Sequence, residues 1–595
     1  MDRNTHPTTY DYKPLESSEH IRLIQILDGN TPQPNYRIVH KEIPPKGSQP
    51  DFEAVSYTWG NQERVASLHL DGDSGQIGLT KNLSQALSYL TRRSTTGYLW
   101  IDQICIKQDD DSKEKSQQIR LMARIYKVAR RVIIWLGLKD DYSDTAQLWL
   151  EKVGEMLRGM ENSDYVIPGN EKFDPDDRFN VVRSSFFTSD VTYAKYAPAL
   201  RKFFSRPWFG RGWVVQELLL ASAEIFLVGD AVLSRDDMAD LVTIYTVQPR
   251  EGEDVEDTWN SYGDLIDLKL YPFTDEQPLR FLRLMYSIAH HFQTSKLEDQ
   301  LYAFLGMIEG SEFTPNYDGV SMQENFIRFA VTLAQQYGSL DFLSLWSANL
   351  DMRLPNTPKE LKGLPSWVPS WTATPLSAPF RLATGGVHAL RSSISWKAAG
   401  EHRHDHDQPN DAVATRRLHV RGKIIDRVKV TSDARFPGDT QQSEEFLNAR
   451  LAKLQLLPGL DGWRVYDMVD FLNQATSNGG EPRYSTDVVL GIDGSNLSHG
   501  ETQRQGYSEP LRLCLAMGYG RRFMRTTEGR LGLAPWEGTK DGESVIAIVY
   551  GCSVPIMLNA VDEEKREYEV IGDCYVEGIM RGEAVDEVAE AFVLV

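Results

Sequence analysis

Phe52-Glu53-Ala54-Val55-Ser56-Tyr57-Thr58-Trp59-Gly60 contains a short β-like run, Ala54 to Trp59, that stops at a glycine. The segments that follow it decide the architecture. Ser67 to Leu70 and Gln76 to Leu79 flank Asp71-Gly72-Asp73-Ser74-Gly75 and read as a hairpin. Leu83, Ala86, Leu87 and Leu90 recur at i, i+3, i+4 and i+7, which makes one face of a helix apolar. Tyr98 to Ile106 is a second β-like run, and Ile119, Met122, Tyr126 and Ala129 mark a second amphipathic helix. Val132 to Leu136 is a third strand ended by Gly137, and Ala146, Leu150, Val153 and Leu157 mark a third helix. Helical spacing resumes over Pro198 to Phe204 and Trp213 to Ala221, followed by a strand at Ile225 to Val228. Strands alternating with helices predict an α/β module with a parallel sheet and flanking helices, over residues 51–235.

Either side of this module the pattern changes. Residues 1–50 hold one strand-like run, Ile21 to Leu27, among polar and Pro-rich stretches, and read as an N-terminal extension. Residues 159–193, rich in Asp, Ser and Pro, read as an insertion. Residues 236–394 read as mainly helical, with capping-box spacing at Ser321-Met322-Gln323-Glu324. A polar linker at 395–415 carries His402, His404 and His406; alternate histidines without further ligands nearby read as a solvated loop, so no metal is expected. From 416 to 595 β-like runs dominate (Leu418 to Val430, Val545 to Val549, Tyr568 to Val576), with helices expected near Glu444 to Leu456 and Trp463 to Leu472.

The 595 residues exceed what a single core usually supports, and 41% hydrophobic residues with 13 Trp, 25 Tyr and 23 Phe supply material for large cores. The formal charge of −20 repels phosphate backbones and argues against nucleic acid as a partner. Four scattered cysteines, Cys105, Cys514, Cys552 and Cys574, form no Cys-x-x-Cys pair and read as buried thiols. The most apolar stretch, Val214 to Val228, is interrupted by Gln216, Glu217 and Glu224, and a bilayer requires about 20 apolar residues. No membrane span and a cytoplasmic location are therefore expected. Neither a Gly-x-Gly-x-x-Gly stretch nor a P-loop occurs, and no cofactor is expected.

Three segments resemble the boxes of the fungal HET (heterokaryon incompatibility) domain. The first is Phe52 to Gly60. The second is Leu99-Trp100-Ile101-Asp102-Gln103-Ile104-Cys105-Ile106-Lys107-Gln108, continuing to Trp135-Leu136-Gly137. The third is Arg206-Pro207-Trp208-Phe209-Gly210-Arg211-Gly212-Trp213-Val214-Val215-Gln216-Glu217. Lys107 and Gly212 depart from the usual residues of that pattern. Beyond the domain, Lys296 to Gly306, Leu364 to Trp371 and Gly572 to Met580 are similar to further segments of the family, with Glu298 replacing an arginine. The resemblance implies a TIR-like, flavodoxin-type fold and a role in vegetative incompatibility and programmed cell death.

Trp213 and Glu217 stand at i and i+4, so they share a helix face. The pattern looks like the Trp-Cys-x-x-Glu segment of TIR domains that cleave NAD, and by that likeness Glu217 is the catalytic candidate. Cleaving the nicotinamide–ribose bond builds oxocarbenium-like charge on the sugar, which a preorganised carboxylate stabilises. Trp213 is then a stacking partner. Tyr57, Trp59 and Gly60 end the first strand, where open α/β sheets bind ligands, and Asp102, read within the second strand, completes the binding candidates, with Gln108 a weaker one. The competing reading makes Arg206, Arg211 and Glu217 a structural ion-pair network, with Trp208, Phe209 and Trp213 as core. Cys105 reads as inert. Two functions stay open: an NAD glycohydrolase that works when oligomerised, with NAD or a related nucleotide as substrate, and a non-enzymatic module that binds homotypic or other protein partners. A third is an accessory protein of a biosynthetic gene cluster.

Overall fold

The computed structural model describes residues 9–28, 34–45, 51–72, 75–108, 113–148, 150–151, 198–246, 265–266, 268–269, 276–308, 310–317, 319–349, 359–371, 379–380, 396–404, 411–432, 470–471, 474, 520–585 and 588–595. The insertion expected at 159–193, His406, Cys514 and nearly all of the helices expected near 444–456 and 463–472 lie outside the described residues. Two compact units divide the chain. The first comprises Met1–Pro272, His291–Met307 and Pro315–Asp318; the second comprises Phe273–His290, Ile308–Thr314 and Gly319–Val595.

The first unit is built on a seven-stranded sheet. Its strands are β1 (His20–Ile26), β2 (Tyr36–Glu42), β3 (Glu53–Tyr57), β6 (Tyr98–Trp100), β7 (Val132–Trp135), β8 (Glu224–Val228) and β9 (Ala231–Leu233). Strands β4 (Arg64–His69) and β5 (Gln76–Thr80) form the hairpin read from the sequence, as a separate two-stranded sheet. The spatial order is β2-β1-β6-β3-β7-β8-β9. The four central strands β6, β3, β7 and β8 are parallel. The sheet as a whole is mixed, which corrects the expectation of a parallel one: β1 and β2 pair antiparallel and join β6, and β9 turns back along β8. The segment before residue 51 thus supplies two strands.

Numbered by their order in the chain, the parallel strands lie 2-1-3-4, and the direction of winding switches between β3 and β7. Every residue of β3 and of β7 is buried, as expected of central parallel strands covered on both faces. Helix α1 (Lys81–Arg93) buries Leu83, Ala86, Leu87 and Leu90, the four residues whose spacing predicts it. Helix α2 (Asp102–Cys105) is a single turn directly after β6, so the second strand ends at Trp100 and Asp102 lies beyond it, not within it. Helix α3 (Lys113–Val128) buries Met122, Ile125 and Tyr126, and α4 (Val214–Leu219) precedes β8.

In the second unit, α5 (Leu279–Ile288) and α6 (Met322–Tyr337) are the principal described helices. Ser321 caps α6 by accepting from the Glu324 amide, as its spacing predicts, and Gly338 closes the helix in the left-handed conformation. The C-terminal β region is an eight-stranded sheet. Its strands are β10 (Leu418–Thr431), β11 (Arg521–Thr526), β12 (Leu531–Pro535), β13 (Val545–Val549), β14 (Ile556–Asp562), β15 (Glu567–Asp573), β16 (Tyr575–Val576) and β17 (Glu590–Leu594). The long β10 pairs first with β17, then with β13 and last with β11. Strands β10, β13, β14, β15 and β17 thereby close a ring, which removes the open edges a flat sheet would leave. Gly422 sits at the corner, opposite both Glu590 and Val549, and a Cβ there would stand 2.2 Å from the Ile548 carbonyl oxygen.

Candidate functional site

In open α/β sheets the crevice at the carboxyl ends of the strands, where the winding switches, is the usual ligand site. Here that place is the end of β3 beside the end of β7. Two arginines of the Arg206–Glu217 segment bond to the carbonyls that emerge there. Arg211 donates through Nη1 to the Tyr57 carbonyl at 2.5 Å, and Arg206 donates through Nη1 to the Leu136 carbonyl at 2.8 Å.

Arg211 is the hub. Its guanidinium lies 3.5 Å from Glu217 Oε1 and 3.9 Å from Asp102 Oδ2. Glu217 is sealed: its side chain is 1% exposed, and Ser56 Oγ donates to its Oε2 at 2.5 Å. Ser56 in turn accepts from Trp208 Nε1 at 2.7 Å. Asp102 accepts from Trp59 Nε1 at 2.9 Å and from the Gln103 amide at 2.7 Å, and Gln108 donates to the Asp102 carbonyl at 3.0 Å. A continuous polar chain therefore runs from Trp208 through Ser56, Glu217, Arg211 and Asp102 to Trp59. Its Trp208 end is buried, whereas Trp59 is half-buried and carries the Arg64 guanidinium 5.6 Å from its ring.

Burial pushes the Glu217 and Asp102 carboxyls above the usual range, against the pull of the shared Arg211. Arg211 is half-buried, and desolvation pulls its pKa down, but the two carboxylates more than offset that and hold its charge. One cation between two desolvated acids leaves a site that takes up a proton readily. Tyr57 is buried, and burial together with Asp102 holds its hydroxyl well above the usual range. Gly60 is exposed with φ +65°, and a Cβ there would meet nothing within 4 Å.

Of the candidates from the sequence, Asp102 and Glu217 meet at Arg211 together with the Tyr57 carbonyl, and Trp59 joins them through Asp102. Gly60 follows Trp59 at the exposed lip. Trp213 goes elsewhere: it precedes α4 as its N-terminal cap residue, and its side chain influences the carboxyl of Asp299. Arg206 also leaves the group, pairing with Asp140 at 2.7 Å. Cys105 is fully buried in α2, and burial pushes its thiol up to about 12. Ser56 and Tyr126 were not singled out from the sequence. Tyr126, whose hydroxyl donates to the Val55 carbonyl at 3.1 Å, acts on Glu217 as well. Both stand in segments that resemble the HET boxes, which is the signal that could have flagged them. Among the described residues there is no group of three or more His, Cys, Asp or Glu side chains placed to hold a metal ion, and no helix long and apolar enough to cross a membrane.

Comparison with known proteins adds two domain matches. Residues 52–217 match the model of the heterokaryon incompatibility protein (HET) family, and residues 491–595 match the Het-6 beta-barrel domain. Among curated proteins, heterokaryon incompatibility protein 6, OR allele, of Neurospora crassa is 26% identical over 413 residues, which cover 61% of this chain. The match spans 59% of that relative's length. No solved structure matches. The two domain matches and the relative support a heterokaryon incompatibility family for the chain.

Proposed function

We propose, from the premise of that family, that this chain is a non-self recognition protein that triggers programmed cell death, with the Arg211 cluster as its effector site. The observation that carries the reading is the convergence of all three sequence boxes on one guanidinium: Tyr57 from the first, Asp102 from the second and Glu217 from the third. The 2-1-3-4 order of the parallel strands supports the TIR-like, flavodoxin-type likeness, because it puts the cluster at the switch point of a doubly wound sheet.

The outer part of the cluster offers an aromatic ring, a carboxylate and a cation in Trp59, Asp102 and Arg211. These suit the base, the ribose hydroxyls and the phosphates of NAD or a related nucleotide. Hydrolysis of the nicotinamide–ribose bond requires a carboxylate against the ribose, and the sealed Glu217 reaches it only after the Arg206–Glu217 segment moves. The burial of Glu217 favours a second reading, in which the HET domain is a non-enzymatic module that recruits an executor and the cluster holds its shape.

The full chain, incubated with NAD and assayed for nicotinamide release, separates the two readings. Release that disappears in a folded Glu217→Gln variant supports hydrolysis. Cell killing by that variant, with no release from either protein, supports the interaction module. A wild-type chain that provokes no incompatibility reaction in any pairing of strains removes both.

A further inference from the structure

The segment Lys296 to Gly306, singled out in the sequence, plays no part in the cluster itself, yet it belongs to the first unit. The stretch His291–Met307 is reached from the second unit and returns to it: His290 precedes it and Ile308 follows it, and both belong to the second unit. Its contacts fall on the segment that carries Arg211 and Glu217. The Gly212 amide donates to the Gln293 carbonyl at 2.8 Å, and the Gln293 amide donates to the Gly210 carbonyl at 2.7 Å, so the backbone on both sides of Arg211 is held. Asp299 accepts from the Tyr317 hydroxyl at 2.6 Å; burial raises its carboxyl, and Trp213 is near enough to lower it against that.

Two glycines make this approach possible. A Cβ on Gly212 would stand 2.5 Å from Thr294 Cγ2. A Cβ on Gly306 would stand 2.6 Å from Ala123 Cβ and 3.0 Å from Gln216 Oε1, on α3 and α4. The stretch thus lies against Gly210, Gly212 and Gln216, in the segment that carries Arg211 and leads into Glu217.

We propose that His291–Met307 is a control latch, which holds the Arg206–Glu217 segment closed over the switch point and lets the second unit govern access to Glu217. This rests on the reading of the Arg211 cluster as the effector site. Both ends of the latch are continuous with the second unit, so a ligand or partner that pulls on either end withdraws Gln293 and Asp299 together. The Gly210–Gly212 backbone then loses its partner, and Arg211 and Glu217 become open to solvent. Asp299 and Gln293 are positioning residues in this scheme.

The test uses the full chain with two changes of opposite effect. Asp299→Ala removes the acceptor of the Tyr317 hydroxyl and the carboxylate near Trp213, and releases the latch. Gly212→Cys with Thr294→Cys allows a disulfide that fastens it. Amide hydrogen exchange is followed over residues 210–219, with β13 of the second unit as the reference. The release variant is expected to exchange about tenfold faster over 210–219, with β13 unchanged, and the oxidised pair to exchange no faster than wild type until it is reduced. Expressed in cells, Asp299→Ala is expected to kill without the non-self partner that the wild type requires, a gain that loss of packing does not produce. Unchanged exchange over 210–219, or killing that is merely weakened, overturns the latch. Faster exchange in a chain that never kills in any pairing keeps the latch and overturns the incompatibility reading instead.

Discussion

Arg211 serves two buried acids, and its removal is the sharpest probe of the cluster. Arg211→Ala leaves Glu217 and Asp102 without their common cation, and breaking a buried pair from one side costs about 3–5 kcal/mol. The urea midpoint should fall accordingly; a midpoint within error of wild type would mean that the carboxyls are neutral in the fold. Proton linkage gives a second test, because Glu53 in β3 and Glu217 against β3 have opposite shifts. Glu217 is raised by burial, so the stability it contributes is fully present below its unfolded value and is lost as pH rises through its folded value. Glu53 is held down despite burial by Ser94, Arg131 and the Thr95 amide, so its contribution is present above the unfolded value and lost as pH falls through the folded one. Urea unfolding across about pH 3 to 8 should therefore show Glu217→Gln gaining on wild type as pH rises, and Glu53→Gln gaining on it as pH falls. Both differences staying flat would refute the assigned shifts. Glu217, Asp102 and Trp59 were candidates through the likeness of their segments to the HET boxes and, for Glu217, to a TIR-domain segment. Their hub was weighed only as a structural cation, since Arg211 meets the Tyr57 carbonyl across 154 positions of chain and no local pattern encodes that contact.

Helix α4 is six residues long, and a helix this short depends on its surroundings. Lys269 supplies them at its C-terminal end. Its ammonium donates to the Leu218 carbonyl at 2.6 Å, also to the Ala221 carbonyl, and lies 3.9 Å from Glu224. Burial pulls its pKa down to about 8, so it is mainly charged at neutral pH. Lys269→Met keeps the apolar stem and strands those carbonyls, which should cost about 1–3 kcal/mol and loosen α4 first. Amide exchange in α4 that stays at the wild-type rate would show that the cap is redundant. The periodic elements were evident beforehand: α1, β7 and β8 follow spacings that report their own burial. The failures have physical causes. Tyr98 to Ile106 reads as a β-like run, but a short apolar run suits a strand or a buried helical turn equally, and packing chose a turn after Trp100. Strand β2 was missed because Tyr36–Glu42 is half-exposed along its length and mixes basic and apolar residues, so nothing in it marks a buried face.

The chain as a whole carries two cores, one around the central parallel strands and one in the ring closed by β10. The ring closes only because β10 changes partners without a break, and that exchange is concentrated at Gly422, where two neighbouring strands meet the same residue. A methyl group there would overlap the Ile548 carbonyl, which strand backbone cannot yield without giving up the β10–β13 ladder. Gly422→Ala should therefore act far beyond the small cost of replacing a strand glycine, at about 1–3 kcal/mol, and it should act on one unit alone. Because each unit buries its own core, calorimetry of the full chain should resolve two transitions. The substitution should lower one of them and leave the Arg211 cluster's unit where it was. A single transition that moves as a whole would show that the two cores melt together. In that event the stretch from His291 to Met307, which the second unit brackets in the chain, would be a structural tie between them and not a part that can be released.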